Sequence, residues 1–246
     1  MTKEYSQTYY LAAGECNPEK EMPLTLLMTR VIEIATLHAN SWGVGYERLI
    51  QDNQAWVLSR VTIEMEAYPQ VNTRYTVTTW IEDYNRHFSQ RNMAVTDEQG
   101  RPLGYVRTIW MVIDLTTRAS VDISKLGYIS ENVSERRCPI EPQSRLRPVS
   151  GGRVVDYTFG YADCDFNRHV NTVRYLEHLM NLFDLHRYDA QFIQRMEISF
   201  LRESHYGDTV AIHVDESQPL DSRMSMAIGG EDHVRARFVW RERIAQ

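Results

Sequence analysis

No stretch of this chain approaches the ~20 consecutive apolar residues that a membrane-spanning helix needs, which argues against a helical membrane protein. Cysteine is scarce. Cys16, Cys138 and Cys164 lie far apart with no C-x-x-C pair, so neither a disulfide framework nor a cysteine zinc site is expected, and a reducing cytoplasm is the expected home. Excess positive charge is missing as well: the formal net charge is −6, which disfavours nucleic acid as a partner. The first 22 residues hold no apolar core of signal-peptide length and carry acidic side chains, so neither secretion nor a transit peptide is expected.

What is present is an ordinary globular composition, 43% hydrophobic and 24% charged over 246 residues. That length suits one large domain or two of ~120 residues. Within the polar lead-in, YSQTYYLA suggests a first strand. After Pro23, Leu24, Leu27, Met28, Val31, Ile32 and Ala35 recur at helical spacing, predicting a helix buried on one face and ended by Gly43 and Gly45. AWVLSRVTIEMEAYP alternates as a strand with one wet face would, RYTVTTWIEDYN forms a second strand, and EQGRP turns a hairpin between two β-rich runs.

Residues 131–153, ENVSERRCPIEPQSRLRPVSGGR, are rich in Arg, Pro, Ser and Gly and lack periodicity, predicting a linker between a domain over 1–130 and another over 154–246. Beyond it, VNTVRYLEHLMNLFDL predicts a second helix, MEISFLRESHYGDTVAIHVDE two strands around Tyr-Gly-Asp, and MSMAIGGEDHVRARFVWRER a hairpin at Gly229-Gly230. The halves match: RYTVTTWIE answers GDTVAIHVD, and GYVRTIWMVID answers DHVRARFVWRE. A long apolar helix followed by a meander of strands must bury itself on the sheet. The predicted class is therefore α+β, a tandem hotdog in which each half wraps an antiparallel sheet around a long helix.

Between the linker and the second helix, DCDFNRHVNTVRY crowds Asp163, Asp165, Asn167 and His169 into seven residues. The opening D-x-D-x-N suggests calcium, but an EF-hand loop needs Gly at position six and Glu at twelve, where Arg168 and Arg174 stand. Zinc through Asp163, Cys164, Asp165 and His169 lacks a converging second His nearby. Helix capping accounts for one polar side chain, not for three at alternate positions plus a histidine. On residues alone, a cap and a site stand side by side.

DCDFNRHVNTVRYLEHLM resembles the motif D-x-D-x-N-x-H-V-N-N-x-x-Y of the fatty acyl-ACP thioesterases, and ISFLRES their E-Y-R-R-E-C segment. In the first half, AWVLSRVTIEMEAYP, NRHFSQRNMAVTDEQG and RTIWMVIDLTTR are similar to further stretches of that family, in the same order along nearly the whole chain. Without the plastid extension of the plant enzymes, the chain looks like a bacterial relative. The resemblance implies hydrolysis of the thioester of a fatty acyl chain carried on the 4′-phosphopantetheine of acyl carrier protein, with no cofactor and no metal. It implies a catalytic set of Asp165, Asn167, His169 and Glu203. Asp165 is then base or nucleophile, Glu203 helps activate water, Asn167 and His169 orient, and amides of the helix start receive the oxyanion. Ser204 replaces the family's cysteine and puts a cysteine-nucleophile scheme in doubt, because a hydroxyl ionises far less readily than a thiol. Cys164, His38 and Asn40 are taken as structural.

For the acyl chain, Met28, Ile32, Ala35 and Trp42 are candidate lining, with plain core packing as the alternative. Acyl carrier protein is acidic, so a chain of net −6 needs a local basic patch. Arg235, Arg237, Arg241 and Arg243 share one phase of the last strand and offer one; ERRCPIEPQSRLRP offers another. An acyl-CoA thioesterase and a non-catalytic acyl-ACP-binding protein are the competing functions, and both monomer and homodimer fit a chain that holds two hotdog halves.

Overall fold

Alternation of apolar and polar side chains writes most of this chain as strands. The computed structural model, which describes residues 2–125 and 127–244, assembles five of them in each of two units, Met1–Pro142 and Gln143–Gln246. The first unit holds β1 (Glu4–Tyr10), α1 (Leu24–Ser41), α2 (Tyr46–Gln51), β2 (Gln54–Met65), β3 (Arg74–Tyr84), β4 (Ser89–Asp97), β5 (Pro102–Asp114) and α3 (Gly127–Glu131). The second holds β6 (Arg153–Thr158), α4 (Thr172–Met180), α5 (Leu185–Ala190), β7 (Gln191–Phe200), β8 (Thr209–Gln218), β9 (Asp221–Ile228) and β10 (Glu231–Glu242). The hydrogen-bonded order is β1-β3-β4-β5-β2 in the first and β6-β8-β9-β10-β7 in the second, antiparallel throughout. The path is the same in both.

Pro23 stands at the N-cap of α1, where its missing N–H costs nothing, and the helix packs against β3 and β1. It buries Leu24, Leu27, Met28, Val31, Ile34, Ala35, His38 and Ala39. Ile32, expected on that face, is only half-buried, and Ile34 takes its place. At about 100° per residue, Ile32 and Ile34 lie on opposite edges of the stripe, and the helix buries the Ile34 edge. The buried His38 accepts from Arg91 Nη1 at Nδ1 (2.9 Å), and its ring centre lies 4.0 Å from that of Trp42 with the planes tilted by 53°. Burial, with the Arg91 guanidinium alongside, pushes its pKa down to about 4, so the ring is neutral at pH 7.

Two further expectations need correction. In β2 the register slips between Leu58 and Arg60, and Val61, Thr62 and Ile63 are all buried, so the wet face is reduced to Arg60 and Glu64. In the second unit the expected long helix is two short ones, α4 and α5. Polar residues interrupt it: Asn181 ends α4 after nine residues, and the Asp184 side chain caps α5 by accepting from Arg187 N–H (3.0 Å). β6 was not foreseen.

The expected linker, 131–153, has no regular structure up to Ser150 apart from the end of α3, yet it is bonded to strands on either side of the unit division. In the first unit, Trp80 Nε1–H donates to the Arg136 carbonyl (2.8 Å), Cys138 N–H to Glu82 (2.8 Å), and Arg107 to the carbonyls of Ile140 (2.7 Å) and Cys138 (2.8 Å). In the second, Ser144 donates through N–H to Glu197 (2.8 Å), Gln143 to the Ile198 carbonyl (2.8 Å), and Val149 N–H to Ser225 Oγ (3.0 Å). Side chains alternate across a strand. Arg91 reaches the α1 side while its neighbours Asn92 and Ala94 face the other way, where Ala94 packs with Cys138 and Ile140. Phe238 and Trp240 meet Phe183, next to α4, while Arg235 reaches the Leu146 carbonyl and Arg237 the Glu197 carboxylate that holds Ser144, Leu146 and Ser144 both lying in the strap formed by residues 134–149. Residues 134–149 thus cover the sheet faces that the helices leave bare.

Candidate active site

Two loops of the second unit build the site: 159–171, ahead of α4, and 201–208, between β7 and β8. Their main chains are stitched together. Val170 N–H donates to the Ser204 carbonyl (2.8 Å), Phe159 N–H to that of Asp208 (3.0 Å), and Gly207 N–H to that of Phe159 (2.9 Å), while His169 bridges His205. Within the first loop, Asp165 N–H donates to the His169 carbonyl (2.8 Å) and Arg168 N–H to that of Asp165 (3.0 Å). Arg168 closes this turn at φ +65°, a left-handed conformation uncommon outside glycine.

Asp163 anchors the loop. Its buried carboxylate accepts from Gly160 N–H (2.7 Å) and Tyr157 OH (3.0 Å), and lies 2.7 Å from His178 Nε2. Burial raises its pKa, but the hydrogen bonds from Gly160, His178 and Tyr157 outweigh it and hold the carboxyl below its ordinary value. The first carboxylate of the motif is therefore fully occupied in holding shape.

Asp165 is different. One oxygen accepts from Asn167 N–H (2.8 Å), and the side chain is half-buried. Asn167 is exposed at the turn. His169 presents Nδ1 3.4 Å from Glu203 Oε1. Both side chains remain partly open, 29% and 38% exposed, so a reacting group can reach them. Of the four residues implied by resemblance, His169 joins Glu203 through its side chain and Asp165 through its main chain, and Asp165 in turn fixes Asn167. A carboxylate beside an imidazole can hold and pass a proton, and a second carboxylate with one oxygen engaged keeps the other for water.

The cap belongs to none of them. Asn171 caps α4, its Oδ1 accepting from Val173 N–H (2.8 Å), and its carbonyl takes Arg174 N–H (2.9 Å). At the helix start the Val173 and Arg174 amides are thus engaged, and the Asn167 carboxamide stands exposed ahead of them. Ser204 is fully buried and turned inward. Its N–H donates to Tyr175 OH (3.0 Å) and its Oγ meets His233 Nδ1 (2.9 Å). Burial first, then Arg202, lowers the His233 pKa, while the ring also bonds the Glu203 main chain. Sequence reasoning missed Asn171, His178 and His233. A polar residue directly before an apolar helical run signals the first; nothing local signals the others.

The residues expected elsewhere are differently placed. Met28, Ala35 and Trp42 are buried in the first unit, Trp42 in a cluster with Ala39, Val44 and Ile81, and Ile32 is half-buried. Arg235 pairs with Asp232 (2.6 Å) and reaches the Leu146 carbonyl; Arg237 pairs with Asp221 (2.8 Å) and Glu197 (3.5 Å). Arg243 donates to the Tyr188 carbonyl (2.8 Å), and Arg241 is exposed. The stripe is braced on its own unit, not an open cationic face. Among the described residues, no group of three or more His, Cys, Asp or Glu side chains is disposed to hold a metal ion, and no helix is long and apolar enough to cross a membrane.

Residues 2–126 match the family model for the acyl-ACP thioesterase N-terminal domain, and residues 148–242 that for the C-terminal domain. A crystal structure of an acyl-ACP thioesterase from Bacteroides thetaiotaomicron superposes with a TM-score of 0.92 at 31% identity, covering 97% of this chain and 98% of that one. The 12:0-ACP thioesterase from Umbellularia californica shares the fold, with a TM-score of 0.87 at 19% identity and 99% of each chain covered. The chloroplastic palmitoyl-acyl carrier protein thioesterase of Arabidopsis thaliana is 22% identical over 222 residues, covering 81% of this chain and 52% of that protein. The chain therefore spans about half the length of that curated relative.

Proposed function

The chain belongs to the acyl-ACP thioesterase family, and from that premise we propose that it hydrolyses the thioester of fatty acyl-ACP to free fatty acid and acyl carrier protein. The observation that carries the reading is the approach of His169 to Glu203 across two stitched loops, with Asp165 fixed beside them. Water attacks the carbonyl carbon and gives its proton to Asp165. Glu203, held by His169, orients that water. Asn167 donates to the carbonyl oxygen as it gains charge. The carbon–sulfur bond then breaks, and the phosphopantetheine thiolate leaves and takes up a proton. Ser204, buried and bonded to His233, is not the nucleophile.

For the acyl chain we propose the apolar side of α1, where Ile32, less enclosed than Met28, Ala35 or Trp42, has the greatest freedom to meet it. We place the reaction in the cytoplasm, in keeping with three cysteines that stay unpaired. The test compares matched acyl-ACP and acyl-CoA, with fatty acid release as readout. Asp165→Ala and Glu203→Gln are each expected to lose about 10² or more in kcat, the scale of one acid–base group. Binding of acyl-ACP without release, unchanged in Asp165→Ala, would make the protein a carrier-binding module instead. Faster turnover of acyl-CoA would make it an acyl-CoA thioesterase.

A further inference from the structure

Glu203 and His169 are 38% and 29% exposed, a wet setting for thioester hydrolysis that the substrate itself must close. The loops that carry them are unusual for a surface. Tyr161 is 90% exposed, Phe166 77% and Tyr206 70%, and all three stand on the loops that carry the site. Tyr161 is two residues from Phe159, and Tyr206 adjoins Gly207, the residues through which the loops are bonded. Phe166 lies in the 165–169 turn, three residues from His169. Arg168, in that same turn, is exposed and has no ion-pair partner among the described residues.

Exposed aromatics cost hydration unless a partner covers them, and Tyr, Phe and Arg are enriched at protein interfaces. The occupant is set by position and charge. Any macromolecule that delivers a thioester to Glu203 has to rest on these loops, and an acidic one is drawn to Arg168 rather than to Arg235 or Arg237, which already face aspartates. We propose that Tyr161, Phe166 and Tyr206, with Arg168 among them, form the seat of acyl carrier protein. This rests on the thioesterase reading above. The carrier docks by aromatic anchors around the mouth of the site and, by covering them, shields the reacting groups from water.

The experiment uses the full chain and two thioesters of the same fatty acid, one on acyl carrier protein and one on pantetheine. Tyr161→Ser, Phe166→Ser and Tyr206→Ser, singly and together, are expected to raise KM for acyl-ACP tenfold or more in the triple variant. Hydrolysis of acyl-pantetheine should stay within twofold, which also shows the variants folded. Arg168→Glu should raise KM for acyl-ACP most at low salt, the gap closing as salt screens it. An unchanged KM for acyl-ACP overturns the proposal. So does a parallel loss on both thioesters, which would make the aromatics part of the site's frame. A wild-type protein that cleaves acyl-pantetheine but leaves acyl-ACP intact refutes the carrier-linked reading itself, whatever the variants do.

Discussion

Asp163 and Asp165 stand two residues apart in one loop with unlike surroundings: one carboxylate is saturated by Gly160, Tyr157 and His178, the other keeps an oxygen free. The difference is testable through pH. Because the Asp163 pKa is held below its unfolded value of ~3.9, its stabilisation is complete above that value and is lost as pH falls through the folded pKa. Asp163→Asn should therefore lower stability by roughly 1–3 kcal/mol at pH 7, and the gap in Tm to wild type should narrow below about pH 4 in thermal melts. Ser204 gives a second prediction. With its Oγ on His233, which also bonds the Glu203 main chain, Ser204→Ala should reduce kcat several-fold and leave KM near wild type. Steady-state kinetics on acyl-ACP separate the two constants, and a rise in KM alone would count against positioning. The resemblance picks Asp165 out of the pair, but the physical reason is not local to the sequence: it lies in Gly160, Tyr157 and His178 closing on Asp163 alone.

Helix α4 shows what local sequence can and cannot say about an element. Its apolar run was legible because Tyr175, Leu176 and Leu179 recur at helical spacing, and all are buried. Its length was not, because Asn181 and Asp184 end one helix and open another without breaking the apolar pattern across Leu182 and Phe183. The strands with strong alternation, such as β10, were equally plain, whereas β6 buries little and so carries no pattern. The start of α4 separates cap from chemistry. Asn171→Ala should cost about 1 kcal/mol of stability, measured by denaturant unfolding, with Asn171→Asp restoring most of it. Asn167→Ala should do the reverse, losing activity with its unfolding midpoint unchanged, since its side chain is exposed and its bond to Asp165 runs through the main chain.

At the scale of the molecule, the strap was the least legible part, and for a physical reason. Residues 134–149 have no periodicity because their polar groups are satisfied mainly by the strands they cross, so composition alone marks them as linker. Glu197 is the clearest case: fully buried, it accepts from Ser144 N–H and Oγ and pairs with Arg195 (2.9 Å). Glu197→Gln should destabilise by about 3 kcal/mol, as breaking buried ion pairs does. In a chain this size that is a drop of roughly 6–12 °C in Tm, read by calorimetry. The repeated strand path, by contrast, was visible as matched segments, and it has a consequence in evolutionary terms. Each copy follows the same route, β1-β3-β4-β5-β2 or β6-β8-β9-β10-β7, yet the Asp165–His169 loop occurs in one of them. If the proposed site is the working one, selection on the second copy is bound to a handful of atoms in two loops. On the proposed reading, the first copy, carrying no such loop, is free to drift in side-chain volume along α1, and a change in the acyl chain accepted leaves the reacting groups undisturbed.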